Sequence, residues 1–437
     1  ATFTCKNNAE HTVTIEATIE KTVGTATTVY VGTVTGPDGN VDTARQEAAT
    51  KYTITWKNFD GEIIKTSEVP YGTVPAFDGD APVKASDGTY DYVHAGSYPA
   101  LVAVTGEATY TAEFAAVTPG VETVDDSFYF NAHTIALYND LSIIYKINAT
   151  QLEGCTDPYI IATINNKPYR IDGVRTSSDG KDRYWFELKN VLPQHAATTV
   201  YTVLFATDSN GQLVKTVIDE YSIRQYCKNI LNNATYSTDA WAKLRTLLVD
   251  LVNYCAEAQQ YPGKEYRTND LCNNFITEEM KPLGTQEVPE LIDRKVVAGL
   301  NNNTAPVKIK GVTLRLDQSV SIRYTVEADS IEGLIPVFTN SSGKKSTAYF
   351  VENTETEATN DYFLYYSGYN FSQMDNPVTL TIYNSDGEAV SSTLTYSINS
   401  YIYSVLYVTH NPPYSDAVKS IAAALAKLGA SAKAYIG

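Results

Sequence analysis

The sequence predicts a mainly β protein with some α, laid out as a multidomain string: two small β modules, then two homologous β-sandwich-like domains that each end in a helical hairpin. Three observations predict it. Alternating apolar and polar runs rich in Tyr, Thr and Val recur along most of the chain, with the period of strands buried on one face. An ordered series of short signals occurs twice between residue 141 and the C-terminus. Each occurrence closes on a run whose apolar residues change to helical spacing. The length of 437 residues, with 43% hydrophobic and 19% charged content, is globular and corresponds to about three domains at roughly 150 residues each.

Residues 1–50 alternate apolar and polar (Val13, Ile15; Val29, Val31, Val34) around GPDGN at 36–40, which is turn chemistry between strands. They read as a small β module, open to truncation at its start. The second module, 51–118, opens YTITWKNFDGEIIKTSEVPYGTVP, where Tyr52, Ile54 and Trp56 share a face, Asp60-Gly61 turns the chain, and Ile63 and Ile64 begin the return. It closes on VTGEATYTAEF at 104–114, and AVTPGVET at 116–123 reads as a linker.

The duplication follows, as residues 119–285 and 286–437. LSIIYKINA at 141–149 matches VSIRYTVEA at 320–328, which sets Ser142 against Ser321 and Tyr145 against Tyr324. The hairpin signal Asn210-Gly211 matches Asp386-Gly387, and Tyr221-Ser222-Ile223 matches Tyr396-Ser397-Ile398. The last helices then align, with Cys255 on Gly429 and Tyr261 on Tyr435. Anchors in the same order, with offsets that drift by a few residues, are what loop-length changes in a duplicated domain produce. In the first copy YIIATI, YRIDGV, YWFELKNV and TVYTVLFATD read as strands. Its last helix starts near Ser237 to Asp239 and presents one stripe: Leu244, Leu247, Leu248, Leu251, Val252, Cys255 and Ala258. The second copy ends on DAVKSIAAALAKLGASAKAYIG, whose small residues permit close approach.

Two resemblances follow from these residues. The anchors of 51–116 resemble the internalin B-repeat-like, β-grasp modules of bacterial surface proteins, although the usual GWSP element stands here as AGSYPA at 95–100. The helical endings within 120–437 resemble the LxxLLxYGxxAQxYF ending of uncharacterised modules in large surface proteins of gut Gram-positive bacteria, with Cys255 at the usual Gly and Gly429 retained. The resemblance implies modularity and an extracellular, cell-surface location, and no activity comes with it.

Composition narrows the function classes. Lys+Arg 33 against Asp+Glu 50 gives a net charge of −17 without a basic run, which argues against nucleic acid. No stretch approaches the roughly 20 apolar residues of a membrane span, so no membrane insertion is expected within this fragment. The opening ATFTCKNNAEHTVT reads as a strand of mature protein rather than a leader. Five cysteines lack CxxC spacing, and five histidines (His11, His94, His133, His195, His410) fall in different modules without a nucleophile or metal motif. Neither a metal nor a cofactor is expected. Asp157, Asp208 and Asp386 beside turns are calcium candidates whose competing role is to serve their own backbone.

Candidate site residues are aromatic. In DYFLYYSGYNF at 361–371 a strand places Tyr362, Leu364 and Tyr366 on one face and Phe363 and Tyr365 on the other, with Tyr369 after Gly368 in a loop. Exposed tyrosines there would stack on the apolar face of a sugar or meet a partner protein, and Trp185 occupies the comparable strand of the first copy. The competing reading is core packing on both faces. Cys227 and Cys255, on helices expected to pack together, form a candidate disulfide against the alternative of two buried thiols. The expected function is a non-catalytic extracellular surface protein, a modular stalk or adhesin that projects or joins partners. The alternative is a carbohydrate-binding protein that uses exposed aromatics. The partners would be a glycan or a host or bacterial surface protein.

Overall fold

The computed structural model describes residues 51–138, 140–261, 270–316, 320–355 and 360–436, and before them only the backbone of four short strands. The protein is mainly β, in several separate sheets with few helices. It divides into two compact units, 1–119 and 120–437, at the Pro119-Gly120 linker.

In the first unit β1 (Thr2–Cys5) pairs with β2 (Asn8–Thr14), and β3 (Val34–Thr35) with β4 (Val41–Asp42), all antiparallel. The GPDGN turn between β3 and β4, and Ile15, Val29 and Val31, lie outside the described residues. A four-stranded sheet follows from β5 (Lys51–Lys57), β6 (Ile63–Pro70), β7 (Asp91–Tyr98) and β8 (Ala108–Val117), in the order β6-β5-β8-β7. Its central pair, β5 and β8, is parallel and the outer pairs are antiparallel. Alternation along β5 buries Ile54 and Trp56, and the Trp56 ring lies 5.3 Å from both Phe77 and Tyr110 to close a small core.

The second unit repeats one topology. Its first half holds β9 (Ala132–Leu137), β10 (Leu141–Asn148), β11 (Thr156–Ile164), β12 (Lys167–Asp172), β13 (Val174–Thr176), β14 (Arg183–Val191), β15 (Val200–Thr207), β16 (Leu213–Lys215), β17 (Asp219–Tyr221), α1 (Ile223–Leu231) and α2 (Ala242–Gln260). Its second half holds β18 (Val296–Gly299), β19 (Lys308–Leu316), β20 (Val320–Glu327), β21 (Ile335–Asn340), β22 (Lys345–Thr347), β23 (Val351–Glu352), β24 (Asp361–Tyr366), β25 (Val378–Tyr383), β26 (Ser392–Tyr396), α3 (Ile398–Tyr407) and α4 (Asp416–Ile436). The sheet β9-β10-β14-β13 recurs as β19-β20-β24-β23, and β12-β11-β15 as β22-β21-β25. β17 and β26 occupy the same place, since Val200 pairs with Tyr221 and Val378 with Tyr396. Even an isolated parallel bridge recurs, Val124 with Lys215 and Val307 with Ser391. The second half alone adds an edge strand, β18 on β26.

The Tyr-Ser-Ile signal has a physical meaning in both halves. Tyr221 and Tyr396 end a strand, and Ser222 and Ser397 cap the helix by accepting from Gln225 N and Ser400 N, each at 3.0 Å. Ile223 and Ile398 are then the first buried residues of α1 and α3. The last helix of the first repeat begins at Ala242, after a 3-10 turn over Asp239–Trp241, a few residues beyond the expected cap.

The expected single stripe on α2 is buried as predicted, and so are Val249, Asp250, Tyr254, Ala256 and Gln259. α2 is covered on further sides because α4 of the second repeat packs against it, and one continuous apolar core runs through both repeats. Across this junction Phe371 N donates to Tyr138 O at 2.9 Å, and the Tyr254 and Phe371 rings meet edge to face at 6.3 Å. Within the second repeat, a small residue of α4, Gly429, also lets the helix sit on the turn that carries Phe371 and Met374. A Cβ on Gly429 would fall on Met374 Cε and lie 3.3 Å from Phe371 O. In the first repeat Ala196 follows the turn Pro193–His195 as Met374 follows the turn Phe371–Gln373, and Cys255 stands at the Gly429 position. Volume has been exchanged across the contact: large on the turn where the helix is small, and the reverse.

Candidate functional site

Strand alternation and a hairpin build one open cleft of about 540 Å³ in the second repeat. Its walls come from the end of β21, the hairpin into β22, the strand end of β24 and the loop at 367–368. Tyr349, 86% exposed, stands between β22 and β23, Tyr366 enters from β24, and Tyr365 borders the cleft beside it. The polar part is Asn340, Ser346, Thr347 and Ser367, with Lys344 as the only charged lining residue among those described. Asn340 Oδ1 accepts from Ser342 N (3.1 Å) and Lys344 N (2.9 Å), which holds the turn.

The tyrosines differ in how they are held. Tyr366 packs between Phe338 (5.2 Å) and Tyr369 (5.1 Å, edge to face), and burial raises its hydroxyl pKa. Its ring folds over position 368, where a Cβ would come within 2.7 Å of the Tyr366 hydroxyl, so Gly368 is required by that packing. Tyr365 faces the other side of the sheet. There its hydroxyl accepts from Arg315 Nη1 at 3.2 Å and the guanidinium lies 5.3 Å from its ring centroid.

The expected alternation of 361–366 is found: Leu364 is fully buried, while Phe363 lies on the opposite face beneath Arg323, 4.2 Å from its ring. Tyr362 packs on Phe350 at 5.7 Å, toward the core rather than the cleft. Tyr369 does sit in a loop after Gly368, yet its ring is only 5% exposed and its hydroxyl is directed at Tyr396 O at 3.5 Å, so it is a core residue. Trp185 belongs to the first repeat and is not brought to the cleft. It occupies the place of Phe363, with Lys146 Nζ 4.1 Å from its ring, and Asp179 holds both Lys146 (3.2 Å) and Arg183 (3.1 Å) beside it. Tyr349 was not singled out by sequence reasoning. The available signal was an aromatic where the first repeat has Asp172.

The bridge between Cys227 and Cys255 is not formed. Both are buried free thiols, which suits the affinity of reduced cysteine for apolar cores, and Cys272 is a third. Side chains of Cys5 and His11 lie outside the described residues. His133 pairs with Asp219 at 3.0 Å and stacks on Tyr221 at 4.1 Å, which joins β9 to β17 and serves packing. Asp208 accepts from Asn210 N (2.9 Å) and Gln212 N (2.8 Å), and Asn384 does the same for Asp386 N (3.1 Å) and Glu388 N (2.8 Å). An amide at Asn384 thus takes the place of the Asp208 carboxylate without loss of the turn, so Asp208 serves its own backbone. Among the described residues no group of three or more His, Cys, Asp or Glu is placed to hold a metal ion, and no helix is long and apolar enough to cross a membrane.

No model of a known protein family matches the chain, and no curated protein is significantly similar to it.

Proposed function

We propose that the chain is a non-catalytic part of an extracellular bacterial surface protein, an adhesin whose second repeat captures a neutral glycan in the Tyr349 cleft. The comparison of the two repeats carries this reading. Tyr145 pairs with Phe186 and Tyr324 with Leu364, so the registers align Glu187 with Tyr365 and Leu188 with Tyr366. Val174 pairs with Trp185 and Val351 with Phe363, which sets Asp172 against Tyr349. The same scaffold therefore folds with acidic or aliphatic residues at all three positions, and the cleft tyrosines exceed what the fold requires. Flat rings beside amide and hydroxyl groups, with a single charge, suit a polyhydroxylated, uncharged ligand. The mixed sheet of 51–117, with its parallel central pair, supports the β-grasp-like reading of the preceding module and with it the surface location.

The test is a glycan array followed by calorimetry on the full chain. Tyr349→Ala is expected to weaken the best glycan by about 1–3 kcal/mol while leaving the melting temperature within a degree or two of wild type. A wild-type chain that retains no glycan, or a variant that binds it unchanged, would remove the glycan reading and leave a stalk that projects other modules.

A further inference from the structure

Three thiols meet where the helical pair of the first repeat ends. Cys227 on α1, Cys255 on α2 and Cys272 in the segment after α2 are each fully excluded from solvent. The segment that carries Cys272 is tied to both helices beside their thiols. On α2, Gln259 lies four residues after Cys255, on the same helix face. Its Oε1 accepts from Cys272 N at 2.7 Å, and its Nε2 donates to Asp270 O at 3.1 Å. Helical side chains lean toward the N-terminus, so an amide rooted at 259 reaches back over the turn of Cys255 and sets the backbone of Cys272 above that thiol. On α1, Arg224 stands one turn before Cys227, pairs with the Asp270 carboxylate and reaches Leu271 O at 3.5 Å. The Cys272 backbone is thus held by Gln259 of α2, while Arg224 of α1 grips Asp270 and Leu271 before it.

We propose that Cys255 and Cys272 join in a disulfide when the chain folds under oxidising conditions, and that Cys227 remains a thiol. The electron acceptor is a small-molecule disulfide such as oxidised glutathione. One cysteine attacks it, one glutathione thiol leaves, and the second cysteine displaces the other. The S–S bond between residues 255 and 272 forms, two protein thiols lose two protons and two electrons, and one oxidised glutathione becomes two reduced ones. Burial pushes the Cys227 and Cys255 thiols well above their ordinary range, and both are shielded in the folded protein. The exchange therefore belongs to folding rather than to the finished protein. The bridge would fasten the 270–272 segment to α2 across the residues between them.

The inference rests on the export reading for its oxidising compartment, but its test does not. The reduced, denatured full chain is refolded in a glutathione redox mixture, remaining thiols are alkylated after denaturation, and peptides are mapped by mass spectrometry without reduction. The expected result is one linked pair, Cys255 with Cys272, and an alkylated Cys227. Cys227→Ala should keep the pair, and Cys272→Ala should lose it and melt several degrees lower than the oxidised wild type. A linked pair that contains Cys227, Cys155 or Cys5, or alkylation of all three cluster thiols, would overturn the proposal. A chain that bridges in vitro but is reduced in its native setting would overturn the export reading and leave the pairing intact.

Discussion

Gly429→Ala provides a sharp test of how the last helix of the second repeat is fitted to the turn of its own repeat. The added methyl would fall on Met374 Cε and lie 3.3 Å from Phe371 O, and Met374 is itself only 3% exposed, with little room to swing away. Overpacking of this kind costs about 1–3 kcal/mol, against which alanine returns about 1 kcal/mol of helix propensity, so the net loss should be about 0–2 kcal/mol. Met374→Ala alone should cost about 2–5 kcal/mol through the cavity it opens. In that background the geometry becomes that of the first repeat, with alanine on the turn, and Gly429→Ala should then stabilise by about 1 kcal/mol. The coupling is therefore about 1–3 kcal/mol in favour of the double variant. Urea unfolding of the four proteins, analysed as a double-mutant cycle, measures it. If Gly429→Ala has the same effect in both backgrounds to within about 0.5 kcal/mol, the volume exchange is not what selects glycine here.

Further outcomes follow from the same coordinates. Ser222→Ala and Ser397→Ala should each cost about 1 kcal/mol or somewhat more in denaturant unfolding, because each removes the acceptor for a first-turn amide. Tyr369→Ala should cost about 3–5 kcal/mol as a core deletion, whereas Tyr349→Ala, at an 86% exposed position, should leave stability unchanged; equal effects would show that the cleft is misplaced. Glu327 is held below the usual carboxylate range by hydrogen bonds from Lys308 and Lys310, so its contribution is present above its unfolded pKa and lost as pH falls through the lowered folded value. The stability difference between wild type and Glu327→Gln, followed by melting temperature, should accordingly persist at neutral pH, begin to shrink as pH falls past about 4, and vanish only below the lowered folded value.

Much of the fold was legible because its signals are local. Tyr221-Ser222-Ile223 encodes a strand end, a cap and a first core residue within three positions, and the Asn-Gly and Asp-Gly hairpins are equally short. What escaped was non-local. Nothing within α2 announces that Tyr254 and Gln259 are buried, because Tyr254 is met by Phe371 of the second repeat and Gln259 by the 270–272 segment, both outside the helix. The cysteines show the same limit: the alternative of two buried thiols at Cys227 and Cys255 could be read from helical spacing, but Cys272, buried in a segment without periodicity, could not be joined to them. Tyr369 has the composition of a loop residue, and only the fold shows its ring turned inward.

Duplication makes the candidate site readable where one sequence offers no other comparison. Two repeats that solve the same folding problem act as controls for one another, and positions held in common are those the scaffold needs. Tyr145 and Tyr324 are both fully buried at equivalent places, so that tyrosine belongs to the architecture. Trp185 and Phe363 each lie under a cation, but the cation comes from Lys146 in one repeat and from Arg323 in the other, and these are not equivalent positions. A covered outer aromatic is thus also scaffold, reached by two different substitutions. Tyr349, Tyr365 and Tyr366 fail this criterion, since Asp172, Glu187 and Leu188 serve in their place. Core packing accounts for Tyr366 in part, through Phe338 and Tyr369, but it offers no account of a tyrosine as exposed as Tyr349. Tyr349 is therefore the position at which the glycan proposed above makes its most direct demand, and the one whose substitution tests it.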